Sequence, residues 1–287
     1  MLTGCTDLRT RISPDILAAD AGETCRFAAH TAQLEEPLSA EAALPALMPE
    51  ALSEAAGAEI SCGHVSLLAL SGEQACEMLE TAFRARWIPP DSAVLLVPDG
   101  ACALLDSGAP ESSDIQTAVK DGLLPPRTAG TVLGDLREGS GISAAHGWNG
   151  TGLTAMLFAG NMPPAALSPD ACRGLALWCG RWEHFRFAEG GTAYTLRYCT
   201  PAVSVSLADE KLRLDIRASF AIQPDDQTGR DVIKRMLLSA VTETAWQGAD
   251  ILYLRERAAR EGICTTQEAW RSLLCGAEIC FRGGGSR

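Results

Sequence analysis

The stretch Leu212 to Gly262 constrains this chain more than any other, because its apolar residues change period partway along. From Leu212 to Ile222 every even position is apolar, while Lys211, Arg213, Asp215, Arg217 and Ser219 occupy the odd ones. That alternation is a strand with one buried face. After Gln223-Pro-Asp-Asp, apolar residues recur at Val232/Ile233, Met236/Leu237, Ala240/Val241, Ala245, Ala249 and Ile251/Leu252, as on one face of a helix. Thr228 with Asp231 reads as a capping box and Gly262 as the stop, which predicts one helix over 229–261. Upstream, Phe185–Phe187, Ala193–Tyr198 and Val203–Leu207 read as short strands that join Leu212 through the turn Ala208-Asp-Glu-Lys. The expected unit is an antiparallel sheet packed on one long helix, so the fold class is α+β.

With 287 residues the chain has room for two or three domains. Its net charge of -12 argues against nucleic acid, or an anionic lipid surface, as an electrostatic partner. No apolar run approaches the roughly 20 residues of a membrane-spanning helix. The eleven cysteines include no C-x-x-C pair and mostly lie in apolar segments, where a thiol serves as a small hydrophobe. They are expected to be largely buried and free.

In chain order, residues 1–13 are an N-terminal tether. Leu2-Thr3-Gly4-Cys5 resembles a bacterial lipobox, in which the cysteine takes a diacylglyceryl group, although the preceding basic and apolar regions of a signal peptide are missing. Either the gene start lies upstream and Cys5 is the lipidation site, or the match is a chance one. Its place at the very N-terminus favours the first. Residues 14–107 form an expected N-terminal α/β domain, with two strands around Asp20-Ala-Gly-Glu and short helices between Leu38 and Ala58, split by Pro45 and Pro49. A strand over Cys62–Leu70, a helix over Ser71–Arg86 capped by Ser71, and a strand over Ser92–Pro98 then suggest a β-α-β crossover. Residues 108–185 read as a linker and small middle domain, with a strand over Gly152–Phe158 and a helix after Ser168. Residues 186–287 hold the C-terminal sheet and long helix, a short helix over 266–274, and a last strand over Ala277–Phe281.

Few residues suggest chemistry. The turn Leu70-Ser-Gly-Glu-Gln lacks the glycines of a pyrophosphate loop and places an acid where phosphate would sit. Cys62 and His64 would share a face of a strand, yet without the third group that orients a nucleophile pair. His30, His146 and His184 have no carboxylate or cysteine at metal-ligand spacing, so neither a metal nor another cofactor is expected. Asp250 is open to two readings, a partner contact on the one hand, or a cap or hydrogen bond to a neighbouring loop on the other. Trp178 and Trp182 read as core.

Taken together, four places resemble the Ger(x)C family, the C-subunit lipoproteins of bacterial spore germinant receptors. They are Leu2 to Cys5 with Asp7 and Arg9; Gly63-His64 ahead of an apolar strand; Gly152 to Phe158 followed by Leu167-Ser-Pro-Asp-Ala-Cys-Arg-Gly-Leu175 and Trp178; and Gln247-Gly-Ala-Asp-Ile251 followed by Trp270-Arg-Ser-Leu-Leu. Thr6 stands where the family often has tryptophan, and Leu252-Tyr-Leu where glycine and phenylalanine are usual. The resemblance implies a non-enzymatic α+β protein of three small domains, tethered by a lipid on the outer face of the spore inner membrane. It would work beside the integral-membrane A and B subunits of a germinant receptor. The competing reading from residues alone is a cytosolic β-α-β enzyme or ligand-binding protein built on 59–98, using Cys62 or His64.

Overall fold

The alternation at Leu212–Ile222 does produce a half-buried strand, and the other elements follow from where that strand and its neighbours bury their apolar faces. A computed structural model of the protein describes residues 11–32, 34–108, 110–138, 140–160, 162–263 and 266–282. Cys5, the rest of residues 1–10 and the glycine-rich tail from 283 lie outside the described residues. The chain divides into two compact units. One runs up to Ser112 and includes Thr128–Gly130 and Gly160–Pro163; the other holds Ser113–Arg127, Thr131–Ala159 and Pro164 onwards.

In the first unit the elements are β1 (Arg11–Ile12), β2 (Ile16–Asp20), β3 (Cys25–His30), β4 (Leu38–Ala42), α1 (Met48–Ala56), β5 (Glu59–Ile60), β6 (Leu67–Ser71), α2 (Ala75–Arg84), β7 (Ala93–Leu96) and α3 (Ala101–Gly108). β2 and β3 form an antiparallel hairpin, β4 adds antiparallel to β3, and β6 and β7 run parallel on the other side of β2. β6-α2-β7 is therefore the expected β-α-β unit with parallel strands. Three details differ from expectation. Leu38–Ala42 is a strand and not a helix, because pairing with β3 outweighs the helix preference of its alanines. Cys62–His64 is a turn of 3-10 helix ahead of β6 and not part of the strand. Ser71 does not cap α2, for its hydroxyl donates to Asp20 Oδ1 at 2.6 Å. The same Asp20 oxygen accepts from the Ala101 amide at 2.6 Å, so one carboxylate ties β2, β6 and the start of α3.

The second unit contains α4 (Ser112–Lys120), α5 (Ala129–Glu138), β8 (Ser143–Trp148), β9 (Leu153–Ala159), β10 (Met162–Ala166), α6 (Pro169–Cys179), β11 (Arg186–Glu189), β12 (Thr192–Ala208), β13 (Lys211–Gln223), α7 (Gln227–Trp246), α8 (Leu254–Arg260), α9 (Gln267–Cys275) and β14 (Glu278–Phe281). β8 and β9 pair antiparallel. The stretch read as a linker with short helices carries α4 and α5, and the strand β8 besides. The main sheet is β11-β12-β13-β14, antiparallel through β13, with β14 added parallel to β13. A parallel return needs a long crossover, which α7, α8 and α9 supply. The strands expected over 193–198 and 203–207 are one strand, β12. Pro201 lies opposite Ala218 without breaking it, because β11 covers only Thr192–Thr195 and leaves the rest of β12 as an edge, where a missing N–H costs no ladder bond.

The even face of β13 is buried throughout, against Val232, Ile233, Met236 and Leu237 of α7 at one end and Val241 and Ala245 at the other. The expected helix over 229–261, however, is two helices. α7 has 20 residues, about 30 Å, and stops at Trp246. Gly248 then takes a left-handed conformation (φ 70°), Tyr253 another (φ 53°), and α8 begins at Leu254. The cap of α7 is also not the Thr228/Asp231 box. Asp226 accepts from the Gly229 amide at 2.8 Å and from the Tyr194 hydroxyl at 3.0 Å. Gly262 (φ 79°) does mark a helix end, that of α8.

Candidate functional site

Two of the four sequence places that carry the family resemblance, Leu167–Leu175 with Trp178 and Gln247–Ile251 with Trp270, lie around α7. Ser168 caps α6, its Oγ accepting from the Ala171 amide at 3.1 Å, while its hydroxyl donates to Glu243 Oε1 of α7 at 2.5 Å and its backbone N–H to Glu243 Oε2 at 2.9 Å. One turn on, Gly174 brings the two helices so close that a Cβ there would sit 2.0 Å from the Met236 carbonyl oxygen. Trp178 donates its indole N–H to the Leu237 carbonyl at 3.3 Å. Cap, small residue and tryptophan in Ser168–Trp178 are therefore three contacts of one helix docked on another.

The stretch Gln247–Ile251 does comparable structural work at the other end of α7. Asp250 is 3 % exposed, and its carboxylate accepts from the Leu254 amide (2.6 Å), the Arg255 amide (2.9 Å) and the Trp270 indole N–H (3.0 Å). Its own N–H donates to Ser140 Oγ at 3.0 Å. Burial raises the carboxyl pKa, a shift that these three donors offset only in part. With its oxygens occupied by donors that start α8 and hold α9, Asp250 acts as a cap and crosslink, not as a base. Gly248 is required beside it, since a Cβ would come within 3.3 Å of Cys275 Sγ and the backbone is left-handed.

Sequence reasoning missed the most buried charged pair. Arg127 lies in the loop before α5 and Asp135 within α5; their side chains form an ion pair that is 5 % and 1 % exposed. Arg127 also donates to the Ala144 carbonyl (2.9 Å) and to Ser143 Oγ (3.0 Å), and the Ser143 hydroxyl donates to Asp135 Oδ2 (2.9 Å). His146 on the same strand is fully buried, with Nε2 3.0 Å from the Pro125 carbonyl, and burial pushes its pKa down to about 4. The ring is neutral at pH 7, carries its proton on Nε2, and leaves Nδ1 without a partner. The sequence signal was Pro125-Pro-Arg127 with Asp135 eight residues on, inside a stretch that reads as linker.

The residues once weighed as catalytic do not assemble. Cys62 is buried, and its thiol pKa is pushed up to about 11, so it is protonated at neutral pH; His64, two residues on, is exposed. His30 lies beside Asp15 at 3.5 Å and His184 is exposed. Among the described residues no three His, Cys, Asp or Glu side chains are grouped to hold a metal ion. The nine described cysteines are free thiols, three buried, five half-buried and Cys275 exposed. Trp178 and Trp182 pack against the core, as expected. An open groove of about 820 Å³ beside α9 is lined by Ser140, Gln267, Glu268, Arg271, Ser272 and Cys275.

No protein-family model matches the sequence, and no curated protein matches it. The fold nevertheless has a counterpart: α+β units with one antiparallel sheet backed by a long helix form a Ger(x)C-like fold. The solved structure that shows this is "Crystal Structure of the GerBC protein", which superposes with a TM-score of 0.52 over 93 % of this chain and 95 % of that one, at 10 % sequence identity.

Proposed function

We propose that this chain is a non-enzymatic C-type subunit of a spore germinant receptor, a lipoprotein held through Cys5 on the outer face of the spore inner membrane beside the integral-membrane A and B subunits. The observation that carries the reading is a coincidence of two kinds of likeness. Four sequence places resemble the Ger(x)C family in order, and the fold follows GerBC along nearly its whole length. The contacts around α7 support a scaffold role, because Ser168, Gly174, Trp178, Asp250 and Trp270, which belong to two of those places, are spent on helix caps and helix packing. A two-chain diacylglyceryl anchor, at about 0.8 kcal/mol per buried CH₂, holds a protein on a bilayer where a single acyl chain would not.

Deleting the gene should abolish the response of spores to at least one nutrient. A wild-type copy with its native upstream region should restore that response, and Cys5→Ala should not. Intact mass of the membrane-fraction protein should show the diacylglyceryl addition on Cys5. Deletion spores that germinate like the parent with every nutrient offered would overturn the receptor reading, and an unmodified Cys5 would overturn the anchor.

A further inference from the structure

The net charge of -12 conceals a surface of the opposite sign. In the β11–β14 sheet the face turned away from α7 is set by the odd residues of β13 and their cross-strand partners. Ala202 lies opposite Arg217, Ser204 opposite Asp215, Ser206 opposite Arg213 and Ala208 opposite Lys211. β11 adds Arg186 opposite Thr195, and β14 adds Glu278 opposite Arg213. Two more cations reach this face by their contacts, Arg197 to Gln223 Oε1 at 2.5 Å and Arg282 to Asp215 Oδ1 at 2.8 Å. The face thus bears Arg186, Arg197, Lys211, Arg213, Arg217 and Arg282 against two acids, Asp215 and Glu278, with Asp209 and Glu210 at the turn on its rim. Asp215 is already shared between Arg213 and Arg282. Among the described residues, Arg186, Lys211 and Arg217 have no ion pair.

Between these cations the surface is low and plain. Ala202, Ser204, Ser206 and Ala208 are all exposed, and over Thr195–Ala208 the strand extends about 40 Å. Protein interfaces centre on buried aromatic anchors, and here Tyr198 is the one exposed aromatic side chain of the two central strands. A shallow cationic plane fits a layer of anionic headgroups, which takes up positive charge without needing a shaped pocket. We infer that the outer face of this sheet rests on anionic phospholipid, with Lys211, Arg217 and Arg186 supplying the attraction. The acidic remainder of the protein would be repelled by the same surface, which sets the direction in which the molecule faces. This goes beyond the proposed tether and holds or fails independently of Cys5 acylation.

The test uses the purified full chain carrying Cys5→Ser, so that no acyl group contributes, and sedimentation with vesicles of equimolar phosphatidylglycerol and phosphatidylcholine. The protein should sediment with them at low ionic strength, progressively less as salt rises, and not with phosphatidylcholine alone. At about 1 kcal/mol per basic residue near such a surface, Lys211→Gln with Arg217→Gln should weaken binding roughly thirtyfold. Arg186→Gln with Arg217→Gln should weaken it similarly, whereas Arg257→Gln with Arg260→Gln on α8 should leave it unchanged. Absence of vesicle binding, equal binding to neutral vesicles, or sheet variants that bind like the parent would overturn the inference. Binding of soluble polyglutamate without vesicle binding would also overturn it and assign the face to an acidic protein segment.

Discussion

His146 and Asp250 show how differently a buried polar residue can behave according to what surrounds it. His146 is held neutral, with a folded pKa of about 4 against 6.5 for the free side chain. The unfolded chain binds this proton more tightly, so the contribution of His146 to stability is fully present above pH 6.5 and is lost as pH falls through 4. The full difference is about 3 kcal/mol. Urea unfolding followed by tryptophan fluorescence, five of whose six reporters lie in the second unit, should show stability falling steeply between pH 6.5 and 4. His146→Gln should flatten that fall; parallel curves for the two proteins would show that the ring is not the group responsible. Asp250 was visible in the sequence as a residue with two readings, and its partners decide for the cap, that of α8, with a crosslink to α9. What could not be read was which remote groups it joins, since Ser140 is 110 positions before it and Trp270 20 after it.

At the scale of elements, legibility depended on whether local pattern or a remote neighbour fixed the backbone. The Leu212 strand is read from its own residues, because one side of it is covered throughout by α7. The break of the helix at Gly248 was signalled by a glycine inside an otherwise regular apolar pattern, but the pattern alone continues through Ile251. Only the left-handed turn beside Cys275 shows that the glycine ends α7. Similarly, alanine and serine make up half or more of β4 and β8, and the strand state of these residues comes from the partner strand and not from propensity. The same dependence on a neighbour predicts opposite outcomes for one substitution at two helical glycines. Gly174→Ala would place a methyl 2.0 Å from the backbone oxygen of Met236, an overpacking that costs about 3 kcal/mol and outweighs the gain in helix propensity. Gly134 in α5 has nothing within 4 Å of the new methyl, so Gly134→Ala should stabilise by up to about 1 kcal/mol. Calorimetry should find Gly174→Ala melting well below the parent and Gly134→Ala at or above it. Equal melting temperatures would mean that α6 can move away from α7 without loss.

For the whole molecule, the question is whether the β6-α2-β7 unit binds a nucleotide or serves only as part of the first unit's sheet. Its turn contains one glycine, Gly72, whose φ of 87° is open to glycine and strained for other residues. A Cβ there would lie 2.2 Å from the Ala21 carbonyl oxygen, so the space that a phosphate loop leaves for its ligand is filled by the backbone just after β2. The next residue, Glu73, is exposed and acidic, and Cys62, before the other end of β6, is a protonated thiol. A scaffold of this kind should therefore melt at the same temperature with and without ATP, NAD or zinc. Binding at a hundredfold excess over Kd stabilises the native state by about 2.7 kcal/mol, and for a chain of this size each kcal/mol raises Tm by roughly 2–4 °C. A true ligand among these would raise Tm by more than about 5 °C, and the rise would increase with its concentration. Such a rise, abolished by Cys62→Ala or His64→Ala and not by changes around Asp250, would assign the first unit a binding role that its geometry now argues against.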